Sequence, residues 1–210
     1  MKRVPLLLLA FLVLPFACTP DATALTFEIA PFGGYRIGGG YDVENAPFNE
    51  VKVEPEITYG LAVGMEFDEK YHLEIMWSRE ETEISGSGGI FPSEQTLFGV
   101  KVDQYHLNGV YHWGTSESRI RPFVLFGLGA THLNPVPDLD GVLRFSFCLG
   151  GGVKLYLGKH LGFRFQGRWI PTYVDSDSAL FCALPGSCVV VTSGEFAHQA
   201  EFTGGLILGF

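Results

Sequence analysis

Charged residues occur at every second position within otherwise apolar stretches of this 210-residue sequence. Five acids and five bases would lie on one face of each stretch if the stretches are extended. Charges buried on such a face must be paired, because an unpaired buried charge is strongly destabilising. The equal numbers therefore predict a structural network of internal ion pairs. Its members are Glu28, Arg36, Glu56, Glu66, Glu74, Arg144, Lys154, Arg164, Arg168 and Glu201.

Three histidines share the face of Glu74 on two neighbouring stretches: His72, His106 and His112. Imidazole and carboxylate groups are ligands of transition metals. No closely spaced ligand motif accompanies them, so a polar network is the favoured interpretation. No metal site and no cofactor are predicted.

Cys182 and Cys188 lie six positions apart near the end of the chain. Disulfides form readily in exported proteins, because the compartments outside the cytosol are oxidising. The pair predicts a small disulfide-closed loop with a structural role. Cys148 would then be left without a partner.

A hydrolytic site is conceivable where Asp175, Ser176, Asp177 and Ser178 precede His198. A serine, a histidine and an acid can form an activated nucleophile, and such a group at the rim of a barrel would suit a lipid-A-modifying enzyme. Polar turns are nevertheless rich in Ser and Asp for conformational reasons, and no recognisable hydrolase motif surrounds these residues. No catalytic residue is predicted, and the chain is expected not to be an enzyme.

Strict alternation of apolar and polar residues predicts the elements that position these groups. In residues 56–67, for example, Ile, Tyr, Leu, Val, Met and Phe alternate with Glu, Thr, Gly and Ala. This period of two is typical of β-strands, whereas a helix repeats at three and four positions. Eight such segments occur, most of them 10–15 residues long. A tilted strand needs about 9–11 residues to cross a membrane, so these segments are long enough. Residues 120–133 are apolar on both faces, so the register around Phe123 to Ala130 stays open.

The links between these strands alternate between short and long. Residues 68–70, 114–119 and 158–160 form short turns, whereas links near 38–53, 83–96, 134–141 and 175–198 are longer and acidic. Short turns on one rim and long loops on the other are typical of bacterial outer-membrane barrels. Strand direction then places Arg36, Glu56 and Glu201 near the loop rim. It places Glu28, Glu66 and Glu74 lower, within reach of Lys154 and Arg164. A soluble lipocalin-like barrel, with apolar residues inside, is the alternative.

The first 24 residues are predicted to be a signal peptide. Lys2 and Arg3 precede an apolar run from Leu6 to Phe16, and Ala22-Thr23-Ala24 reads as a cleavage site. A lipoprotein signal ending at Cys18 is the alternative, although bulky Phe16 suits it poorly. The mature domain would span residues 25–210.

The composition agrees with an exported, folded chain. It is 47% hydrophobic and only 18% charged, with 27 glycines, which excludes a disordered chain and a coiled coil. The formal net charge of -9 argues against binding to nucleic acid, whose phosphates attract basic proteins.

Two stretches resemble a known family. Tyr105-x-Leu107-Asn108-Gly109-x-Tyr111-x-Trp113, a short turn and Arg121-Pro122-Phe123-Val124-x-x-Gly127-Leu128-Gly129 resemble the central hairpin of the eight-stranded outer-membrane β-barrel family, the OmpA/OmpX-like domain. Phe202-x-Gly204-x-Leu206-x-Leu208-x-Phe210 resembles its final strand. The resemblance implies that Phe210 is the signal read by the outer-membrane assembly machinery.

The sequence thus predicts an all-β protein, an eight-stranded antiparallel up-and-down transmembrane β-barrel in the bacterial outer membrane, reached through the periplasm. We expect a monomer with a salt-bridged, closed lumen and acidic extracellular loops, in contact with membrane lipid and lipopolysaccharide. A structural or surface-interaction role is favoured. A passage channel for small solutes is the first alternative, and the lipid-A-modifying enzyme is the second.

Overall fold

The computed structural model describes residues 26–38, 41–42, 50–88, 91–115, 118–136, 141–158, 160–174, 179–182, 188–190 and 195–210. The predicted signal peptide lies outside these ranges, and so do residues 175–178. Within the described ranges every regular element is a β-strand. No described helix has the length and apolar character needed to cross a membrane.

The described residues contain twelve strands, and eight of them form the wall of a barrel. They are β1 (Thr26–Gly38), β2 (Tyr41–Asp42), β3 (Glu50–Val53), β4 (Glu56–Glu66), β5 (Tyr71–Gly88), β6 (Phe91–His112), β7 (Ile120–Val136), β8 (Val142–Tyr156), β9 (Leu161–Val174), β10 (Ala179–Cys182), β11 (Cys188–Val190) and β12 (Glu195–Gly209).

The wall closes completely and every pairing in it is antiparallel. Its order is β1-β4-β5-β6-β7-β8-β9-β12, and β12 pairs with β1. β3 adds to the upper part of β5, and β10 pairs with β11 in a separate hairpin. The predicted eight-stranded antiparallel barrel is therefore confirmed. A closed sheet leaves no unpaired edge, which is what a strand protein needs in lipid.

The outer face of this wall is apolar and its inner face is largely polar. Large apolar side chains such as Ile75, Leu107 and Phe202 are at least half exposed on the outside. Glutamate, arginine, histidine, glutamine and threonine are buried inside. This is the reverse of a soluble barrel, so the lipocalin-like alternative is wrong.

The register of β7 follows from the inside of the barrel. Phe123 and Leu125 point inward and are buried, whereas Val124, Phe126 and Leu128 point outward and are exposed. The inward pair packs on an apolar cluster with Val110, Cys148 and Ile170. The lumen is therefore not uniformly polar, and this apolar section explains why both faces of β7 are apolar in sequence.

The long link predicted near residues 83–96 is mostly strand in the structure. β5 continues to Gly88 and β6 begins at Phe91. The two strands stay paired to Gly88 and Phe91, with register shifts near Ser85 and Gly86. β-branched residues, which favour extended backbone, occur at Thr82, Ile84 and Thr96. β3 supports this extension from the side of β5.

Candidate functional site: ion-pair layers in the lumen

Inward-facing charges meet at three levels of the barrel. Alternation along each strand places their side chains inside, and the antiparallel register sets their heights. We call these levels the loop-side, middle and turn-side layers. The loop-side layer is Thr58, Ser78, Glu80, Arg36, Arg168 and Glu201; the middle layer is Glu74, Asn108, Arg164 and Gln166; the turn-side layer is Glu28, Glu66, His72, Arg121, Lys154 and Tyr156.

The loop-side layer is centred on Arg36, which is fully buried. Its guanidinium lies 2.6 Å from a carboxylate oxygen of Glu201 and 3.2 Å from one of Glu80. It also donates to the hydroxyl of Ser78 at 2.8 Å. The other carboxylate oxygen of Glu201 accepts from Arg168 at 2.7 Å. Two arginines and two glutamates thus form one connected group.

The middle layer joins strands that face each other across the lumen. β5 and β9 are four strands apart whichever way they are counted round the barrel. The guanidinium of Arg164 on β9 nevertheless forms an ion pair with Glu74 on β5. Arg164 also donates to Gln166 at 2.5 Å, and Asn108 donates to Glu74 at 3.0 Å.

The turn-side layer contains two carboxylates with separate partners. Glu28 pairs with Lys154 and accepts a hydrogen bond from the hydroxyl of Tyr156. Glu66 lies 3.2 Å from His72 and 3.7 Å from Arg121. The guanidinium of Arg121 stacks over the Tyr156 ring at 4.5 Å from its centroid, which links the two groups.

Two members of the predicted network lie apart from these layers. Glu56 is exposed at the loop rim, where its carboxylate accepts from the backbone N–H of Ile57 at 3.0 Å. Arg144 is half-buried. Neither residue forms an ion pair with any residue in the described ranges. The backbone register sets Glu56 opposite Arg36, but the Glu56 carboxylate turns to the rim rather than to the Arg36 guanidinium.

Sequence reasoning missed Glu80 and Arg121 as members of the layers. Glu80 continues the inward alternation of His72, Glu74 and Ser78, so extending that strand would have found it. Arg121 lies at the start of β7, whose two apolar faces hid the register. Tyr156 lies two positions after Lys154, so strand alternation places it on the same inward face, but no sequence pattern indicates its part in an ion-pair layer.

The three histidines are buried but do not converge on a common centre. The ring centroids of His72 and His112 lie 4.1 Å apart with the ring planes tilted by 41°, whereas His106 makes a hydrogen bond with Ser146 at 3.1 Å. Across the described part of the chain, no three His, Cys, Asp or Glu side chains form a group that could hold a metal ion.

The layers extend across the lumen. Arg168 on β9 donates to Ser78 on the opposite strand β5 at 3.0 Å. Higher up, Gln104 on β6 donates to Gln199 on the opposite strand β12 at 3.0 Å. An eight-stranded barrel is just wide enough for side chains to fill its interior. Side chains of opposite walls are therefore in direct contact at these levels.

The cysteines and the residues near His198 remain, and part of these lie outside the described residues. Backbone pairing sets Cys182 directly opposite Cys188 in the β10–β11 hairpin. Cys148 is buried and free, and its thiol contacts the amide oxygen of Asn108 at 3.2 Å. His198 points outward and stacks on Trp169 at 5.4 Å, while the Asp and Ser residues of 175–178 are not described.

A family model described as "Outer membrane protein beta-barrel domain" matches residues 9–173. The chain belongs to this family. It is an outer-membrane β-barrel protein, and the predicted localisation in the bacterial outer membrane is confirmed. The matched range ends within β9, so β12 lies beyond it.

Solved structures share this barrel. Neisserial surface protein A (NspA) aligns over 88% of this chain and 97% of its own, with 10% sequence identity and a TM-score of 0.55. The outer membrane protein OprG from Pseudomonas aeruginosa aligns over 88% and 95%, with 12% identity and a TM-score of 0.59. Such low identities establish a common fold alone. Comparison with curated proteins finds no match.

Proposed function

We propose that this outer-membrane barrel is closed and non-enzymatic, and that its role is structural or is exerted by its acidic extracellular loops. The supporting observation is the direct ion pair between Glu74 and Arg164 on opposite walls. Charged groups that neutralise each other across the lumen are poor lining for a water-filled channel. In this role the barrel is a monomer in contact with lipopolysaccharide, inserted by the outer-membrane assembly machinery.

Conductance of the refolded protein in a planar lipid bilayer tests the closed lumen. Before the measurement, folding is verified by the faster migration of unheated protein on a gel. We expect silence or rare brief openings. Steady large openings would contradict the proposal and favour passage of small solutes.

The double variant Glu74→Ala with Arg164→Ala removes the ion pair of the middle layer only. Its conductance reports whether the other two layers seal the lumen by themselves.

The same proposal excludes a lipid-A-modifying reaction at the loop rim. His198 stacks on Trp169 on the outer wall, where it helps to build an aromatic rim. Lipid A from cells that express the protein should therefore have the same mass spectrum as lipid A from cells without it. A mass change that disappears in the His198→Ala variant would overturn the non-enzymatic assignment.

A further inference from the structure

The apolar outer wall has different heights on different sides of the barrel. On β5 the outward positions from Tyr71 to Trp77 are apolar, and the next three are Arg79, Glu81 and Glu83. On β6 the outward positions become charged above Tyr105, at Asp103 and Lys101. The apolar section of this side, which we call the short wall, therefore ends early.

The opposite side continues without charge. On β9 the described outward positions run from Leu161 to Tyr173 and carry no acid or base. The same holds for the described outward positions of β8, and on β12 the imidazole of His198 is the one titratable group among the described outward positions. Their upper ends carry an aromatic cluster. The ring centroids of Phe147 and Trp169 lie 6.0 Å apart, and those of Tyr173 and Phe196 lie 5.5 Å apart. We call this side the tall wall.

Strand geometry converts this difference into height. A tilted strand climbs about 2.4 Å per residue, from a rise of about 3.3 Å and a tilt of about 45°. The short wall from Tyr71 to Trp77 on β5 is then about 14 Å high, and the tall wall from Leu161 to Tyr173 about 29 Å. The apolar band of an outer-membrane barrel is typically about 25 Å. The short wall on β5 falls far below that value.

The charges at the top of the short wall are held in place. Arg79 donates two hydrogen bonds to Asp103, at 2.8 and 2.9 Å, and the Trp77 indole N–H donates to the same carboxylate at 3.1 Å. Lys101 lies 3.5 Å from Glu81. The side chains of Arg79 and Lys101 stay 34% and 44% exposed, so they keep N–H groups free to face the surroundings.

We propose that the lipid bilayer is locally thinned at the short wall, where phosphate headgroups of the outer leaflet descend to meet Arg79 and Lys101. Charges on the lipid face of a barrel are tolerated near the interface and destabilising in the hydrocarbon. Lipid chains deform readily to match a short apolar wall. Guanidinium and ammonium groups are suited to phosphate oxygens. Arg79 and Lys101 lie among carboxylates but keep exposed N–H groups, and these groups make lipid phosphate the occupant proposed for this surface.

The three tryptophans of the chain test this proposal directly. Variants that retain only Trp77, only Trp169 or only Trp113 are refolded into phosphatidylcholine vesicles that contain lipids brominated near the headgroup or near the chain end. In a bilayer of uniform thickness, Trp77 lies deeper than Trp169, because it is six residues above Tyr71 whereas Trp169 is eight above Leu161. Local thinning reverses this order, so headgroup-proximal bromine should quench Trp77 more strongly than Trp169. Stronger quenching of Trp77 by chain-end bromine would overturn the proposal.

Trp113, beside the turn rim below the short wall, separates thinning from a rigid tilt of the barrel. Thinning keeps Trp113 close to the headgroups on its side, whereas a tilt that lifts the short wall moves it toward the bilayer centre. Strong quenching of Trp113 by chain-end bromine would therefore contradict thinning.

A paired substitution supplies the second measurement. Arg79→Leu with Asp103→Leu extends the apolar surface of the short wall, so Trp77 should move toward the chain-end quencher. Glu83→Leu removes a charge higher on β5 and leaves Arg79, Asp103 and Lys101 in place. This control should keep the Trp77 depth of the parent. Equal depths in all three proteins would overturn the role of Arg79 and Asp103.

Discussion

Arg36 is the residue on which the loop-side layer depends. It is fully buried between Glu80 and Glu201, and it also donates to hydroxyl groups of neighbouring strands. A buried ion pair is weak support for stability when it is compared with an apolar pair of similar volume. Removal of one partner is different, because the remaining charge stays buried without compensation.

The Arg36→Met variant should therefore be strongly destabilised. We expect the free energy of unfolding to fall by about 3–5 kcal/mol, because Glu80 loses its cation and Glu201 keeps only Arg168. Urea titration of the barrel in lipid vesicles, followed by tryptophan fluorescence, measures the change. Lys101→Met is the matched control: its partly exposed pair should contribute about 1 kcal/mol or less. Equal effects of the two substitutions would contradict the central position of Arg36.

At the scale of elements, neighbouring strands come together at selected glycines. A Cβ atom at Gly129 on β7 would overlap the backbone carbonyl of Tyr105 on β6. Gly64 on β4 lies in open surroundings, since the nearest atom to its Cβ would be the Leu73 carbonyl oxygen at 3.9 Å. One of these glycines is thus required by close backbone approach and the other is not.

Gly129→Ala should destabilise the barrel by about 1–3 kcal/mol, as overpacking of a filled interior does. Gly64→Ala should leave stability unchanged or raise it by a few tenths of a kcal/mol, because alanine restricts the unfolded chain. Midpoints of urea unfolding compare the two variants with the parent. A larger loss for Gly64→Ala than for Gly129→Ala would show that the β6–β7 approach is described wrongly.

The β10–β11 hairpin leads to a prediction about thiols. Because Cys182 and Cys188 are opposite each other, we expect them to be joined, while Cys148 is buried and free. The mature protein from residue 25 should show no reactive thiol when folded, one when unfolded, and three when unfolded and reduced. Titration with a chromogenic disulfide reagent counts them. Three thiols in the unfolded, unreduced protein would exclude the disulfide.

For the whole molecule, strand number, chain direction and the two faces were predictable, because membrane crossing imposes a period of two and a minimum strand length. The register of β7 was not, since the apolar cluster inside makes Phe123 and Val124 look alike in sequence. For the ion pairs across the lumen, the sequence predicted the height of each charged residue along the barrel but not its partner. The pair of Glu74 with Arg164 depends on the stagger of the strands, which no local pattern encodes.

A substitution of Phe210 allows folding and assembly in cells to be tested separately. The Phe210 N–H donates to the carbonyl of Phe27 at 2.9 Å, while its ring is largely exposed to lipid. Phe210→Ala keeps these backbone bonds, so refolding into vesicles should match the parent. If the ring is the assembly signal, less heat-modifiable barrel should reach the outer membrane in cells. Equal amounts of barrel in cells would rule out that role.

Arg36 and Glu201 come from the first and last strands of the wall and lie 165 positions apart in the chain. Almost the whole polypeptide must therefore be present before the loop-side layer can form. Until then its charged groups remain hydrated. The charged residues inside the finished barrel thus also help to keep the unfolded chain soluble, and they leave water only when the wall closes.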